Sequence, residues 1–214
     1  MKLKENKDSK DVKNYLSKGY IIKNIKDLKS LNYIRKIFIK EIFKSFPNQK
    51  NQKEENILNS IHKRVKVKNL NDFRLKIFNS VNKNEKFKMS YYNLSKEFLD
   101  QIVGNELVMQ SRINLSIQMP KDSSSLLPIH ADTWSGVSPF EVVVWLPLVN
   151  CYRTKTMYFL KKKKISKINK ILLNKKLNTD QIFEKIKNDI EWLELKYGQV
   201  LIFDQSIPHG NVVN

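Results

Sequence analysis

The amino-acid sequence predicts an α+β fold: a jelly-roll barrel (a cupin-like double-stranded β-helix) with N-terminal helices packed outside it. Apolar side chains in the first hundred residues recur at three- and four-residue steps, which is the spacing of amphipathic helices. After residue 112 they alternate with polar side chains or form short β-branched runs, which are typical of strands. Short strands after a helical half favour one barrel domain, and 214 residues suffice for it.

Residues 1–105 form the mainly helical N-terminal part of this domain. The clearest helix has an apolar stripe at Ile25, Leu28, Leu31, Ile34, Ile37 and Phe38 and stops near Pro47. Weaker patterns predict helices over 57–65 and 70–81. Asn93 is the predicted cap of a last helix, which ends near Gly104.

Residues 106–214 form the predicted jelly-roll core. The predicted strands are Ile113–Met119, which Pro120 closes, then Glu141–Leu148, Thr156–Leu160 and Gln199–Asp204. A basic insertion at 161–196 separates the last two strands, and we expect it to be helical from about Asp180 to Ile190.

The formal net charge of +19 raises nucleic acid or an anionic surface as partners. The basic residues are 35 lysines and 5 arginines, and residues 101–160 carry four basic and four acidic side chains. Lysine lacks the planar fork that arginine offers to phosphate, so we expect a solvated lysine surface and no nucleic-acid partner. A competing hypothesis is a basic nucleic-acid-binding protein, which predicts an affinity for nucleic acid that falls steeply with salt.

The chain has features of a protein of the reducing cytoplasm. Its one cysteine, Cys151, excludes an internal disulfide. The basic N-terminus has no apolar core of a signal peptide, and the longest apolar run, Val142–Val149, is far shorter than the ~18 residues of a membrane span. We therefore expect no membrane span; the oligomeric state is open.

Two of the three histidines lie beside predicted strands. His130 and Asp132 are two residues apart, so both side chains point to one face of an extended chain. His209 follows the predicted strand Gln199–Asp204. Two imidazoles and one carboxylate form the facial triad of non-haem Fe(II) oxygenases. The alternative is a turn aspartate beside a surface histidine. The third histidine, His62, lies in a basic helical segment and is predicted to be a surface residue.

The segments HADTWSGVSPFEVVVWLPLVNCYRTKTMYFL and GQVLIFDQSIPHGNVVN resemble a known family over about residues 110–214. They are similar to the Fe(II)- and 2-oxoglutarate-dependent oxygenases of the phytanoyl-CoA-hydroxylase-like superfamily, and most similar to the sporadic carbohydrate cluster oxygenases. The resemblance implies that His130, Asp132 and His209 hold Fe(II), that 2-oxoglutarate is the cosubstrate, and that dioxygen and a sugar-type small molecule are the other substrates. Asp132 argues for hydroxylation, because related halogenases carry a small residue there.

Six further residues are candidates for binding. Thr156, Tyr158 and Asn211 are predicted to contact the cosubstrate, and Trp134, Gln118 and Arg112 the substrate. For each, an ordinary structural role is the alternative: barrel packing for Thr156 and Tyr158, core packing for Trp134, exposure to water for Gln118, and surface ion pairing for Arg112.

The family places the basic residue that binds the distal carboxylate of 2-oxoglutarate about ten residues past the second histidine, on the next strand. This sequence ends at Asn214, so that C-terminal strand is expected to be missing. The sequence leaves three explanations open: a fragment, a cation supplied by Arg112, Arg153 or Lys155, or lost activity. A competing hypothesis is therefore an inactive or non-oxidative jelly-roll protein, either sugar-binding or cupin-like.

Overall fold

The structure is a computed structural model that describes residues 7–46, 52–173 and 176–214. In this part of the chain it has seven α-helices and two small antiparallel sheets. The helices are α1 Lys7–Lys18, α2 Leu28–Ser45, α3 Glu54–Asn59, α4 Leu70–Val81, α5 Glu85–Ile102, α6 Ile165–Leu172 and α7 Thr179–Ile186. The strands are β1 Tyr20–Asn24, β2 Val142–Trp145, β3 Tyr158–Leu160, β4 Ile190–Trp192, β5 Gln199–Asp204 and β6 His209–Gly210.

The α+β class is therefore confirmed, but the described residues form no closed barrel. The first sheet has the strand order β1-β5-β2 and the second has the order β4-β3-β6. Phe159 of the second sheet contacts Tyr20 and Phe203 of the first, with ring centroids 5.3 and 5.0 Å apart. The sheets therefore pack face to face through an apolar layer.

Successive side chains of a strand point to opposite faces of the sheet, and this alternation accounts for the layers. On β5, Val200 and Ile202 join a core shared with the N-terminal helices, whereas Leu201 and Phe203 join the layer between the sheets. On β3, Phe159 faces that layer, and its neighbours face a third cluster beneath α6 and α7. Helices thus cover both outer faces of the paired sheets.

The helical predictions are confirmed in part: α1 is not predicted from the sequence, and the predicted helix over 57–65 is instead α3 followed by a short 3₁₀ turn at Ile61–Lys63. Helix α4 has the predicted bounds of 70–81. Helix α2 begins at Leu28 because Oδ1 of Asp27 accepts a hydrogen bond from the Ser30 N–H, so Ile25 precedes the helix. The helix ends at Ser45, near Pro47 as predicted, and Pro47 itself lies outside the described residues. Asn93 is not a cap: α5 begins at Glu85, eight residues earlier, and the side chain of its N-cap Asn84 accepts from the Phe87 N–H.

The predicted strand Ile113–Met119 is wrong as a sheet strand. Its alternation survives, since Ile113 and Met119 are buried in the first core, but among the described residues no neighbouring strand bonds to it. The side chain of Asn82, at the end of α4, takes that place. It accepts from the Ile113 N–H at 2.7 Å and donates to the Ile113 carbonyl at 3.0 Å.

Two strands are not predicted from the sequence: β4 begins where a helix is predicted, and β1 lies where no element is predicted. The predicted helix from about Asp180 to Ile190 ends at Ile186. Ile190 is instead the first residue of β4, which lies inside segment 161–196 and pairs with β3. Strand β1 precedes α2 and pairs with β5 over its whole length. Within the three described ranges, no helix combines the length and apolar character needed to cross a membrane.

Candidate metal centre

Two histidines and one aspartate meet beside the layer between the sheets. One ligand atom from each of His130, Asp132 and His209 lies within 4.8 Å of the other two. The Nε2 atom of His130 is 3.7 Å from Oδ1 of Asp132. The sequence places the first pair together by its spacing, and the tertiary structure brings His209 to it.

Main-chain hydrogen bonds hold the three residues together. The His130 N–H donates to the His209 carbonyl at 2.9 Å, and the His209 N–H donates to the His130 carbonyl at 2.7 Å. These two bonds form an isolated antiparallel bridge. The Asp132 N–H donates to the Gln205 carbonyl at 3.1 Å. The relative position of the ligands is therefore set by backbone pairing between 130–132 and 205–209.

A tight turn after β5 delivers His209 to this bridge. Oδ1 of Asp204 accepts from the Ser206 N–H at 2.8 Å, and the Asp204 carbonyl accepts from the Ile207 N–H. Ile207 is fully buried against Gly19, where a Cβ atom would lie 1.8 Å from Cδ1 of Ile207. Gly19 also has a φ of +80°, so no other residue suits this position.

Both imidazole rings are oriented by carbonyls two residues earlier in the chain. Nδ1 of His130 lies 2.7 Å from the Pro128 carbonyl oxygen, and Nδ1 of His209 lies 2.8 Å from that of Ile207. A carbonyl only accepts, so each Nδ1 carries the proton. In the neutral rings both Nε2 atoms then present lone pairs, which is the arrangement that metal-binding histidines show.

The environment keeps His209 neutral. Burial lowers the pKa of His209, and a charged His130 would lower it further; the hydrogen bond to Ile207 and the Asp132 carboxylate act in the opposite direction. The ring lies against Phe159 and Phe203, with centroids 5.7 and 5.2 Å away. Neutral imidazole is the form that binds a metal ion.

The opposite side of the cluster is open. The side chains of His130 and Asp132 retain 28% and 30% of their exposure, so a ligand can reach the cluster from this side. Gln205 borders it: its Nε2 donates to Glu141, whereas its buried Oε1 has no hydrogen-bond partner among the described residues. Sequence analysis missed Gln205; its position between a strand and a histidine is the signal that could have pointed to it.

The predicted cosubstrate residues have different positions. Thr156 is buried and its Oγ1 lacks a described hydrogen-bond partner. Tyr158 is not brought to the ligands: it lies on the opposite face of β3 from Phe159 and His209, against Trp192. Oδ1 of Asn211 accepts from the Leu127 N–H at 2.7 Å, so Asn211 ties two backbone segments together.

The predicted substrate residues also separate. Trp134 lies in the short 3₁₀ turn that begins at Asp132, and it is 43% exposed. Gln118 donates to the Val212 carbonyl at 2.7 Å. The Arg112 guanidinium lies 5.9 Å from the ring centroid of Phe78, on helix α4.

Arg153 and Lys155, two candidates for binding the distal carboxylate of 2-oxoglutarate, lie in one turn before β3. Arg153 is exposed and has a left-handed φ of +49°, an uncommon conformation for a residue with a side chain. The Lys155 ammonium lies 5.1 Å from the ring centroid of Tyr152.

The donor set fits a divalent transition metal. Two imidazole nitrogens and one carboxylate oxygen on one side, with the other side open, suit Fe(II), Co(II) or Zn(II) and leave positions for exogenous ligands. Comparison of the chain with protein-family models finds no match, and comparison with curated proteins finds none either. The geometry of this cluster is therefore the observation that bears on function.

Proposed function

We propose that this protein is an Fe(II)- and 2-oxoglutarate-dependent dioxygenase. It hydroxylates a carbohydrate or nucleotide-sugar precursor in polysaccharide biosynthesis. The observation that carries the proposal is the cluster of His130, Asp132 and His209, in which both Nε2 atoms and one carboxylate converge with an open side. The resemblance of residues 110–214 supports the cosubstrate and the class of substrate.

The residues of the chain have distinct tasks in this reaction. His130, Asp132 and His209 would hold Fe(II), which when bound supplies the oxidation: 2-oxoglutarate, dioxygen and a substrate C–H bond become succinate, carbon dioxide and C–OH. The carbonyls of Pro128 and Ile207 keep the rings oriented. Phe159 and Phe203 exclude water from the buried side of the cluster, at His209.

The turn that begins at Asp132 offers a binding group for a sugar. The exposed indole of Trp134 can stack on the apolar face of a pyranose ring.

We also infer that the two sheets are the facing halves of a double-stranded β-helix. Two observations support it: the sheets pack through Phe159 and Phe203, and His209 lies beside this inner layer. Jelly rolls of this kind bind metal or small ligands in their interior.

Anaerobic titration with Fe(II) and then with 2-oxoglutarate tests the function. We expect the visible charge-transfer band of a chelated 2-oxo acid. The band should disappear in His130→Ala and His209→Ala and persist in His62→Ala, because His62 is an exposed histidine of the helical part. Iron affinity unchanged by His130→Ala would refute the metal site. Iron binding without the band would refute the cosubstrate.

The second candidate function is a non-oxidative jelly-roll protein that binds a sugar or acts as a cupin-like isomerase. The observation that favours it is the open form of both sheets in the described residues. Oxygen-dependent conversion of 2-oxoglutarate to succinate distinguishes the two, since only the dioxygenase produces succinate.

A further inference from the structure

A dense lysine surface covers the helical hairpin α6–α7. Residues 161–176 contain eight lysines and no acidic residue. Among the described residues, Lys161, Lys163, Lys170 and Lys185 are exposed and have no ion-pair partner. We call the following residues the lysine surface: Lys161, Lys162, Lys163, Lys164, Lys167, Lys170 and Lys185.

This surface rests on a well-anchored platform. Ile168 and Ile186, one from each helix, are fully buried against the outer face of the second sheet. Asp189 binds Lys164 at 3.2 Å and also Lys167, and these ion pairs hold the start of α6. The Lys162 ammonium donates to the Leu16 carbonyl at 2.9 Å, so the four exposed lysines named above are the ones available to a partner.

Apolar groups lie among the charges. A cavity of about 300 Å³ between the two helices has ammonium groups at its rim and aliphatic side chains beside them. Its lining is Lys167, Lys170, Ile171, Leu177 and Lys185. At the end of α6, Leu173 is 82% exposed. The combination of lysines and exposed aliphatic groups is typical of helices that lie at a membrane interface.

We propose that the lysine surface docks this protein onto an anionic lipid bilayer. The ammonium groups lie at the lipid phosphates, while Leu173 enters the boundary between headgroups and acyl chains. The metal centre remains accessible, because His209 packs on the opposite face of β3 from the hairpin. The proposal is independent of the chemistry at that centre.

The composition of the hairpin favours lipid over nucleic acid. Residues 154–214 contain no arginine, so the hairpin offers no planar forks to phosphates. The one aromatic residue of 161–190, Phe183, packs against Tyr158 with centroids 5.3 Å apart and is not free to stack on bases. An exposed leucine gains little from a polar phosphate backbone but gains from acyl chains.

Co-sedimentation of the full chain with vesicles tests the proposal. We expect binding to vesicles of phosphatidylcholine with phosphatidylglycerol, no binding to pure phosphatidylcholine, and weakening with salt. Lys170→Glu with Lys185→Glu should weaken binding by at least about 25-fold, since each interfacial lysine contributes about fivefold. The matched control is Lys36→Glu with Lys40→Glu, the same charge change on exposed positions of α2.

The outcomes separate the alternatives. Loss of binding in the hairpin pair alone supports the proposal, and a further loss in Leu173→Ser supports insertion of the leucine. Equal losses of vesicle binding in the two double variants would show that only the net charge of +19 matters, and would overturn the proposal. Binding to single-stranded DNA without binding to vesicles would also overturn it. Unchanged Co(II) affinity and thermal unfolding verify that each variant is folded.

Discussion

Replacement of Asn82 by alanine tests how the segment 113–119 is held without a sheet. In the structure the Asn82 amide forms a two-way pair with the main chain of Ile113, at 2.7 and 3.0 Å, and also donates to the Phe78 carbonyl at 2.9 Å. The alanine variant keeps the helix end but leaves the Ile113 N–H and carbonyl without partners.

The expected cost follows from these two main-chain groups. Asn82 and Ile113 are both buried, so water does not replace the lost bonds. An unsatisfied buried group costs about 1–3 kcal/mol, which predicts a loss of roughly 2–6 kcal/mol in the free energy of unfolding. For a domain of this size that corresponds to a decrease of about 4–24 °C in the melting temperature.

Urea denaturation and native-state hydrogen exchange measure the effect. The Ile113 amide should lose its protection in Asn82→Ala before the rest of the first core does. The matched control is Asn71→Ala on the same helix: Oδ1 of Asn71 accepts from Arg74 at the exposed surface, so we expect a change within about 0.5 kcal/mol. Equal effects of the two substitutions would refute the reasoning.

Three other predictions concern the surroundings of the metal centre. Gly210→Ala should cost about 1–3 kcal/mol in urea denaturation, because a Cβ there would lie 2.6 Å from the hydroxyl of buried Tyr158; an unchanged midpoint would contradict this. Asn211→Ala should lower Co(II) affinity severalfold by freeing the Leu127 N–H, as calorimetry can measure; unchanged affinity would exclude a positioning role. Burial lowers the pKa of His209 in the folded apoprotein, so the unfolded chain binds a proton at this residue more readily. The free energy of unfolding should therefore decrease as the pH drops below about 6.5. The free energy of unfolding, measured against pH, should decrease less steeply in His209→Gln. An identical slope in the two proteins would contradict the lowered pKa of His209.

Local patterns in the sequence predict much of the secondary structure. Helix α4 and strand β5 have the bounds that their apolar spacing predicts, 70–81 and 199–204. The pairing of His130 with Asp132 is also local, because residues two apart share a face of an extended chain. In each case the information lies within a few neighbouring residues.

The wrong predictions share a physical cause, which is that pairing partners are distant in the chain. The alternation in Ile113–Met119 is present, but Asn82, directly after α4, supplies its hydrogen-bond partner, and within the described ranges no strand does. Ile190 continues a helical spacing, yet it opens β4 because β3 has a free edge there. Apolar spacing shows which side of a segment is buried and does not show what it is buried against.

The sequence by itself determined the class of the fold, the bounds of α4, and which residues are chemically able to bind a metal. Only the tertiary structure decided that His209 meets His130 and that Tyr158 faces the opposite way. Those placements depend on the bridge between 130 and 209 and on the register of β3 with β6. Such long-range hydrogen bonds form only after the sheets pack, because no local preference encodes them.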